Sequence, residues 1–310
     1  MVPATVTSTL ASALEPKHEG RATFRALDPE RDRAEIERLL ARAVPHDYLL
    51  QMLDRWLGSP GTLGGFDGQE LVAIEKLEDL EQGEGWLGAI RVAPERRREG
   101  WAHRLTAWSL EVAKRMGMQV VRLIIEDENT ASRALSKGLG FRSVAALSHS
   151  VGIAPATVPS SGKVARLARD EELPDPRELE GLRRTNGFLL TTVPHPMRFV
   201  RATPLRLKDA ARAGHLRVIG DDVREGLALL GPRAPWRFRE GQTLRLLTPL
   251  GASALEIFET VSEGVREEGC ELEGFLPDDP PFLPPLRSAG WKSGEHATWG
   301  EHVQLYEVAL

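Results

Sequence analysis

Val92-Ala93-Pro94-Glu95-Arg96-Arg97-Arg98-Glu99-Gly100-Trp101-Ala102 is the stretch on which the reading of this chain turns. The residues before it, Trp86–Val92, have the apolar density of a strand. After it, Trp101, Leu105, Trp108, Val112 and Met116 recur at helical spacing until Gly117 stops them. The stretch is therefore a strand-to-helix loop with three consecutive arginines and a glycine at the helix start. The first backbone N–H groups of a helix have no internal partner, and the helix dipole is positive at that end, so the turn suits a pyrophosphate. Gly100 lets a phosphate approach the backbone, Ala102 keeps the next turn narrow, and the arginines add local positive charge. A glycine at such a junction is common, and an arginine run is more often a solvated surface. The loop alone points to an anion without naming it.

Working outward, Ala22–Leu27 reads as a strand. Asp28-Pro29 reads as a helix start, followed by Ile36, Leu39, Leu40 and Ala43 at helical spacing. A second helical stretch covers Tyr48–Leu57 and stops at Gly58-Ser59-Pro60. Leu63–Phe66 and Leu71–Leu77 flank the turn dipeptide Asp67-Gly68 as a hairpin. Beyond the long helix, Gln119–Ile125 has the continuous apolar run of a buried strand. Thr130–Lys137 is a short helix, and Gly140-Phe141 leads into a strand through about Ser150. The order is β-α-α-β-β-β-α-β-α-β.

With 310 residues, the chain is long enough for two domains at roughly 100–200 residues each. Its 41% hydrophobic and 27% charged residues exclude a disordered or collagen-like chain. No run approaches the ~20 apolar residues that span a bilayer, so no membrane partner is expected. The formal charge of −5 offers no global basic field for nucleic acid. A single cysteine, Cys270, precludes an intrachain disulfide and suits a reducing cytoplasm. Residues 1–20 read as a polar N-terminal arm with neither a charged n-region nor an apolar h-region. Residues 152–162 (GIAPATVPSSG) have linker composition and separate a block at 21–151 from one at 163–310. The histidines do not fall at metal-ligand spacings, and no metal is expected.

Arg97-x-x-Gly100-x-Ala102 after Val92-x-Pro94 resembles the acyl-CoA loop of the GNAT superfamily of N-acetyltransferases. Downstream, Glu128-Asn129-Thr130 through Gly140-Phe141 is similar to the second signature of that family, in which an asparagine follows a strand and a Gly-Phe pair closes a short helix. Both occur in order, on the expected elements, over about residues 25–150. The resemblance implies an α/β fold of the α+β kind: a twisted mixed β-sheet flanked by helices. It also implies acetyl-CoA as cosubstrate. Two parallel strands, here Trp86–Val92 and Gln119–Ile125, would splay so that the pantetheine arm pairs with exposed backbone. Ile90, Arg91 and Val92 would then be backbone partners of pantetheine and the acetyl carbonyl, with an N–H near Val92 polarising the thioester. Arg97, Arg98, Gly100, Trp101 and Ala102 would hold the pyrophosphate, and Asn129 and Ser132 the pantetheine arm.

An amine acceptor must lose a proton before it attacks, and the departing sulfur takes one up or leaves as thiolate. The chain departs from the family at this point. The tyrosine acid of the family falls seven residues after the asparagine, where this chain has Ser136, and Gly88 stands where a strand glutamate base is frequent. Tyr48, near the acceptor-binding helices of the family, is a candidate to replace the acid, with a packed helix aromatic as the alternative. Glu75 and Glu84 are candidate bases acting through water, and solvated strand ends explain them equally.

The second block repeats the order weakly. Val164–Ala168, Asp175-Pro176, Val218–Asp222, Gly226–Leu230, Leu244–Thr248, Ala254–Glu268 and Ser288–Trp291 each find a counterpart in the first block. Leu250-Gly251-Ala252-Ser253 lacks the arginine and the glycine spacing of the loop, and Leu276–Pro285 contains five prolines, which no helix tolerates. The expectation is two GNAT-like domains, the C-terminal one a degenerate copy without a CoA site. The N-terminal domain would transfer an acetyl group from acetyl-CoA to a small-molecule primary amine in a ternary complex. The alternatives are a non-catalytic acetyl-CoA-binding sensor or scaffold, and a structural protein that dimerises. A homodimer is compatible with any of them.

Overall fold

The structure is a computed structural model that describes residues 14–45, 47–152, 165–180, 189–191, 198–220, 226–235, 243–250, 260–261, 271–277, 292–293 and 302–310. Several sequence expectations lie outside these residues: most of the arm and of the linker, Gly251, Cys270, the proline run after Pro277 and the segment Ser288–Trp291. Of Ala254–Glu268 only Thr260 and Val261 are described, both helical. The chain divides into two compact units. One comprises residues 1–123, 131–142 and 306–310, and the other comprises residues 124–130 and 143–305.

In the first unit, β1 (Lys17–Glu19) pairs antiparallel with β2 (Ala22–Ala26) across Arg21 and Gly20. Sequence reading places Lys17–Glu19 in the arm, because three polar residues carry no pattern; the ladder to β2 makes them a strand. Helix α1 (Arg33–Ala43) starts four residues later than Pro29 suggests. Asp28 caps a preceding turn, its carboxylate accepting from the N–H groups of Glu30 and Arg31 at 3.0 and 2.7 Å. The helix is instead anchored by Asp32, which is 5% exposed. Its carboxylate accepts two bonds from Arg25 at 2.6 and 2.9 Å and one from the Asp28 N–H at 2.7 Å. Burial alone would raise the Asp32 pKa, but Arg25 and Arg31 outweigh it and hold the group well below the usual carboxylate range. The inner face of α1, Ile36, Leu39 and Leu40, is fully buried, and each such side chain contributes about 2 kcal/mol over an exposed one.

The stretch expected as one helix from Tyr48 to Leu57 is two, α2 (Tyr48–Gln51) and α3 (Leu53–Leu57), broken at Met52. The break lets Leu49 and, from the next turn, Leu53, Trp56 and Leu57 reach the same core as α1. Strands β3 (Thr62–Asp67), β4 (Glu70–Asp79) and β5 (Glu84–Val92) form an antiparallel meander, with β2 on its outer edge. A 3₁₀ turn at Pro94–Arg96 leads to the long helix α4 (Trp101–Arg115). It lies against β3, β4 and β5, with Trp101, Leu105, Trp108 and Val112 buried. Strand β6 (Val120–Glu126) runs parallel to β5, and α5 (Thr130–Gly138) follows. The C-terminal residues 306–310 belong to this unit: the Leu310 N–H bonds the Gln119 carbonyl at 3.0 Å, and Glu307 meets the buried Arg122 at 2.8 Å. Arg122 is also bonded to Glu84 of β5.

In the second unit, β8 (Ala165–Leu167) pairs antiparallel with β9 (Leu216–Ile219), β9 with β10 (Gly226–Leu230), and β10 with β11 (Thr243–Leu250). Strand β11 then runs parallel to β12 (Glu271–Pro277). Three antiparallel pairings followed by one parallel pairing is also the succession from β2 to β6. The neighbour of β12 is β7 (Arg142–Gly152), antiparallel to it from Leu147↔Pro277 to Gly152↔Leu272. Asp175 caps the turn after it as the sequence suggests, accepting from Arg177 and Glu178 N–H at 2.8 Å each. Helix α6 (Pro204–Arg212) buries Leu207 and is capped by Thr203.

One buried acid has a consequence for stability. Glu75 on β4 is 2% exposed and faces α4, where Thr106 donates to it at 2.8 Å and Ser109 donates as well. Burial raises its pKa to about 7, and the two hydroxyl bonds only partly offset that. An acid whose folded pKa exceeds its unfolded value stabilises the fold below the unfolded pKa, near 4.5, and loses that contribution as pH rises through about 7. The shift corresponds to roughly 3 kcal/mol at most. Urea unfolding of Glu75→Gln and of the parent should therefore diverge with pH, the variant gaining relative to the parent between pH 5 and pH 8. A constant difference across that range would refute the assignment.

Candidate acyl-CoA site

Strands β5 and β6 pair only through Glu84↔Val120, Gly85↔Val121 and Trp86↔Arg122. From Leu87 to Val92, β5 keeps β4 on one side and, among the described residues, has no strand on the other. Burial follows the same division: residues 84–87 are buried, and 88–92 are half-buried. A bulge lies within this edge. Ile74 pairs with Arg91 and Lys76 with Gly88, so Glu75 faces two residues, Ala89 and Ile90, and Ala89 takes φ +59°. Because the Ala93 N–H returns to the Val72 carbonyl at 2.9 Å, strand alternation points the Val92 N–H to the open side.

Just past the open edge, the loop turns through Arg98 at φ +67° and Gly100 at φ +81° into α4. The first intrahelical acceptor used is Gly100, whose carbonyl takes the Arg104 N–H at 3.0 Å. Among the described residues, the backbone N–H groups of residues 98–103 have no protein acceptor. Gly100 combines the left-handed backbone that L side chains rarely adopt with open space where a Cβ would stand. A strand edge with free amide positions thus runs directly into a turn of free amides, as an extended arm ending in a pyrophosphate would require.

The three arginines part ways. Arg96 grips Asp67 at 2.7 Å and Glu99 at 2.9 Å, which holds both carboxyls below the usual carboxylate range, and its guanidinium lies 5.5 Å from the Trp101 ring centroid. Arg97 donates to the Ala43 carbonyl at the end of α1. Arg98 is exposed and makes no ion pair or hydrogen bond with the described residues. The Trp101 side chain is 4% exposed, donates to Glu99 at 3.1 Å and stacks with Arg104 at 4.1 Å, so only its backbone faces the turn. Ala102 is half-buried.

The other candidate residues lie as follows. Tyr48 begins α2 with its ring 5.7 Å from the Arg91 guanidinium carbon. Arg91 is tied to Asp47 and donates to the Ile90 carbonyl at 3.0 Å. Burial disfavours the charge on Arg91, but Asp47 outweighs this and, with Tyr48, holds the guanidinium above its ordinary range. Glu75 points away from this edge, into the layer under α4, and Glu84 is buried against Arg122. Ser136 is 4% exposed in α5, its carbonyl closing the helix end through the Leu139 and Phe141 N–H groups at 3.1 and 3.0 Å. Ser132 is half-buried on the same helix. Asn129 is exposed, its N–H bonded to the Glu126 carbonyl at 3.0 Å, and falls in the second unit. Sequence reasoning missed the bulge, for which Gly88-Ala89 was the only local signal, and the buried partners Asp47 and Lys76. Among the described residues, no group of three or more His, Cys, Asp or Glu side chains is placed to hold a metal.

Residues 22–141 match the model of the acetyltransferase (GNAT) family. They are a GNAT acetyltransferase domain. The fold is shared over nearly the whole chain by solved structures. A GCN5-related N-acetyltransferase from Sphaerobacter thermophilus is 17% identical, with 94% of this chain and 97% of that one aligned at a TM-score of 0.58. A tandem GNAT protein from the clavulanic acid biosynthesis pathway is 14% identical over 93% of this chain and 98% of that one, at 0.50. A glucosamine N-acetyltransferase region of a fungal multi-domain β-N-acetylglucosaminidase aligns with 94% of this chain and 38% of that one, at 12% identity and 0.60. At these identities the likeness is one of fold. No curated protein sequence matches the chain.

The GNAT turn can be tested by separating charge from backbone strain. Asparagine and aspartate both tolerate the left-handed region, and neither meets a clash at Gly100. Titrated calorimetrically with acetyl-CoA, Gly100→Asp should lose binding and Gly100→Asn should keep most of it. Equal affinities in the two variants would show that no phosphate sits at this turn.

Proposed function

We propose that the GNAT domain binds acetyl-CoA along the Leu87–Val92 edge and the turn at residues 98–102, and transfers its acetyl group to the primary amine of a small molecule by direct attack in a ternary complex. The observation that carries this reading is the continuity of the open strand edge with the unpaired amides of the turn. Pantetheine pairs with the backbone of Ile90, Arg91 and Val92, and the Val92 N–H takes the developing negative charge on the thioester oxygen. The pyrophosphate sits on the amides of Gly100, Trp101 and Ala102, with Arg98 as the uncommitted cation beside it. Arg97 contributes indirectly, its side chain on the Ala43 carbonyl and its N–H on the Pro94 carbonyl holding the loop. Ser132 is the polar partner proposed for the arm.

The acid is the least constrained part of the mechanism. Ser136 is buried at the position where the family resemblance places it, so the thiolate leaves unprotonated or takes its proton from Tyr48, which stands over Arg91. The burial of Ser136 also supports a second reading: a non-catalytic acetyl-CoA-binding sensor or scaffold. The C-terminal unit is proposed to be a degenerate GNAT copy, on the repeated succession of strand pairings and the altered sequence at Leu250-Gly251.

Release of free thiol from acetyl-CoA across a panel of primary amines separates the readings. The enzyme should release thiol with at least one amine and not with the matched N-methylated tertiary amine. Thermal stabilisation by CoA without thiol release under any acceptor would establish the sensor. Gly251→Asp should leave acetyl-CoA affinity unchanged, and a loss would move the site to the second unit.

A further inference from the structure

Asp47 was singled out neither by its charge nor by its place in the sequence, yet its side chain is completely buried. It makes three bonds. Oδ1 accepts the Leu49 N–H at 3.1 Å and so caps α2. Oδ2 accepts from Arg91 Nε at 2.6 Å, and Oδ1 accepts from a terminal nitrogen of the same guanidinium at 3.1 Å. This is a two-pronged carboxylate–guanidinium pair, the geometry in which arginine is most directional. The other terminal nitrogen of Arg91 donates to the Ile90 carbonyl at 3.0 Å. One side chain therefore joins the start of the Tyr48 helix to the backbone of the bulged edge.

That edge needs such a tie. Residues 90–92 follow the bulge at Ala89 and, among the described residues, have strand support from β4 alone. A bulged strand with one free side has few constraints on the direction of its peptide planes. The Arg91 clasp supplies one, fixing the Ile90 carbonyl from the side-chain layer and, through the strand, the Val92 peptide two residues on. We infer that Asp47 is a positioning residue: through Arg91 it sets the orientation of the Ile90–Val92 backbone that polarises the acyl carbonyl. This rests on the acetyl-CoA reading given above. Asp47 itself touches neither the thioester nor the acceptor.

The test does not require knowledge of the acceptor. The carbonyl stretch of [1-13C]acetyl-CoA, read by isotope-edited infrared difference spectroscopy on the full chain, reports how strongly a bound thioester is polarised. In the parent it should fall below its value in water. In Asp47→Asn, which keeps the Oδ1 cap on Leu49 but loses the charge, it should return most of the way toward that value, while acetyl-CoA affinity by calorimetry stays within about threefold because the pyrophosphate contacts are untouched. Arg91→Lys, which keeps the charge but not the fork, should move the stretch in the same direction. A double variant should be no worse than Arg91→Lys alone, since both substitutions break one connection.

An unmoved stretch in both variants with affinity retained would overturn the role of Asp47 and leave the acetyl-CoA reading standing. Additive shifts in the double variant would overturn the route through Arg91. A parent that binds no acetyl-CoA, or binds it without any carbonyl shift, would instead fail the underlying reading. Should Asp47→Asn unfold, as its circular dichroism would show, Arg91→Lys carries the decision alone.

Discussion

The loss of pairing between β5 and β6 after Trp86 is the constraint on which the rest of this domain depends. Two parallel strands that stayed in register to their ends would satisfy each other and leave no room for a ligand. Here three residue pairs hold the strands together, and among the described residues no strand takes that side of the next six residues of β5. An open edge of this kind usually invites aggregation or slippage. In this protein it is short, interrupted by a bulge, and stiffened from below and from the side.

The stiffening comes from polar side chains that the core could not otherwise afford to bury. Arg122 lies at the last β5–β6 pair, bonded to Glu84 and Glu307, and fixes where the strands stop pairing. Glu75, opposite the bulge, is bonded to two hydroxyls of α4 and ties the long helix to the strand beside the opening. Lys76, next on β4, points to the other face. Its ammonium donates to the Trp56 and Ser59 carbonyls at 2.7 and 2.5 Å and to the Thr62 hydroxyl at 3.0 Å, closing the end of α3. Asp47 and Arg91 complete the set. A buried polar group without partners costs far more than one with them, so each group specifies a single arrangement of the elements it joins. Together they hold a frame around six residues of backbone.

Much of this fold was legible in the sequence because its signals are local. The hairpin at Asp67-Gly68, the long helix from Trp101 with its apolar face, the buried run of β6 and the glycine that opens α4 all follow from spacing and turn chemistry. What was not legible depends on contacts far apart in the chain. Asp28 looks like the cap of α1, yet the helix starts after Asp32, whose side chain caps no helix N–H and is held instead by Arg25 on β2. Residues 48–57 carry one helical period, yet break at Met52 so that two short helices meet one core. Lys17–Glu19 has no strand pattern and becomes one by pairing with β2. The bulge at Ala89 and the burial of Asp47 leave no periodic trace at all.

The arginine run shows why composition misleads even where the strand-to-helix turn that carries it is legible. Three adjacent guanidinium groups suggest a cationic cradle, but two are committed elsewhere: Arg96 to Asp67 and Glu99, Arg97 to the end of α1. Their work is to hold the loop so that its peptide groups face outward. An anion at this turn would be met chiefly by backbone N–H groups and the start of the α4 dipole, with the Arg98 guanidinium nearby. That division of labour suits a chain of net negative charge. Backbone amides recognise a phosphate at close range without raising the long-range positive field that would draw in other polyanions. Gly100 matters here through its conformation, since it turns the chain so that consecutive amides converge. The preceding Arg96 and Arg97 tie the loop to Asp67, Glu99 and the end of α1.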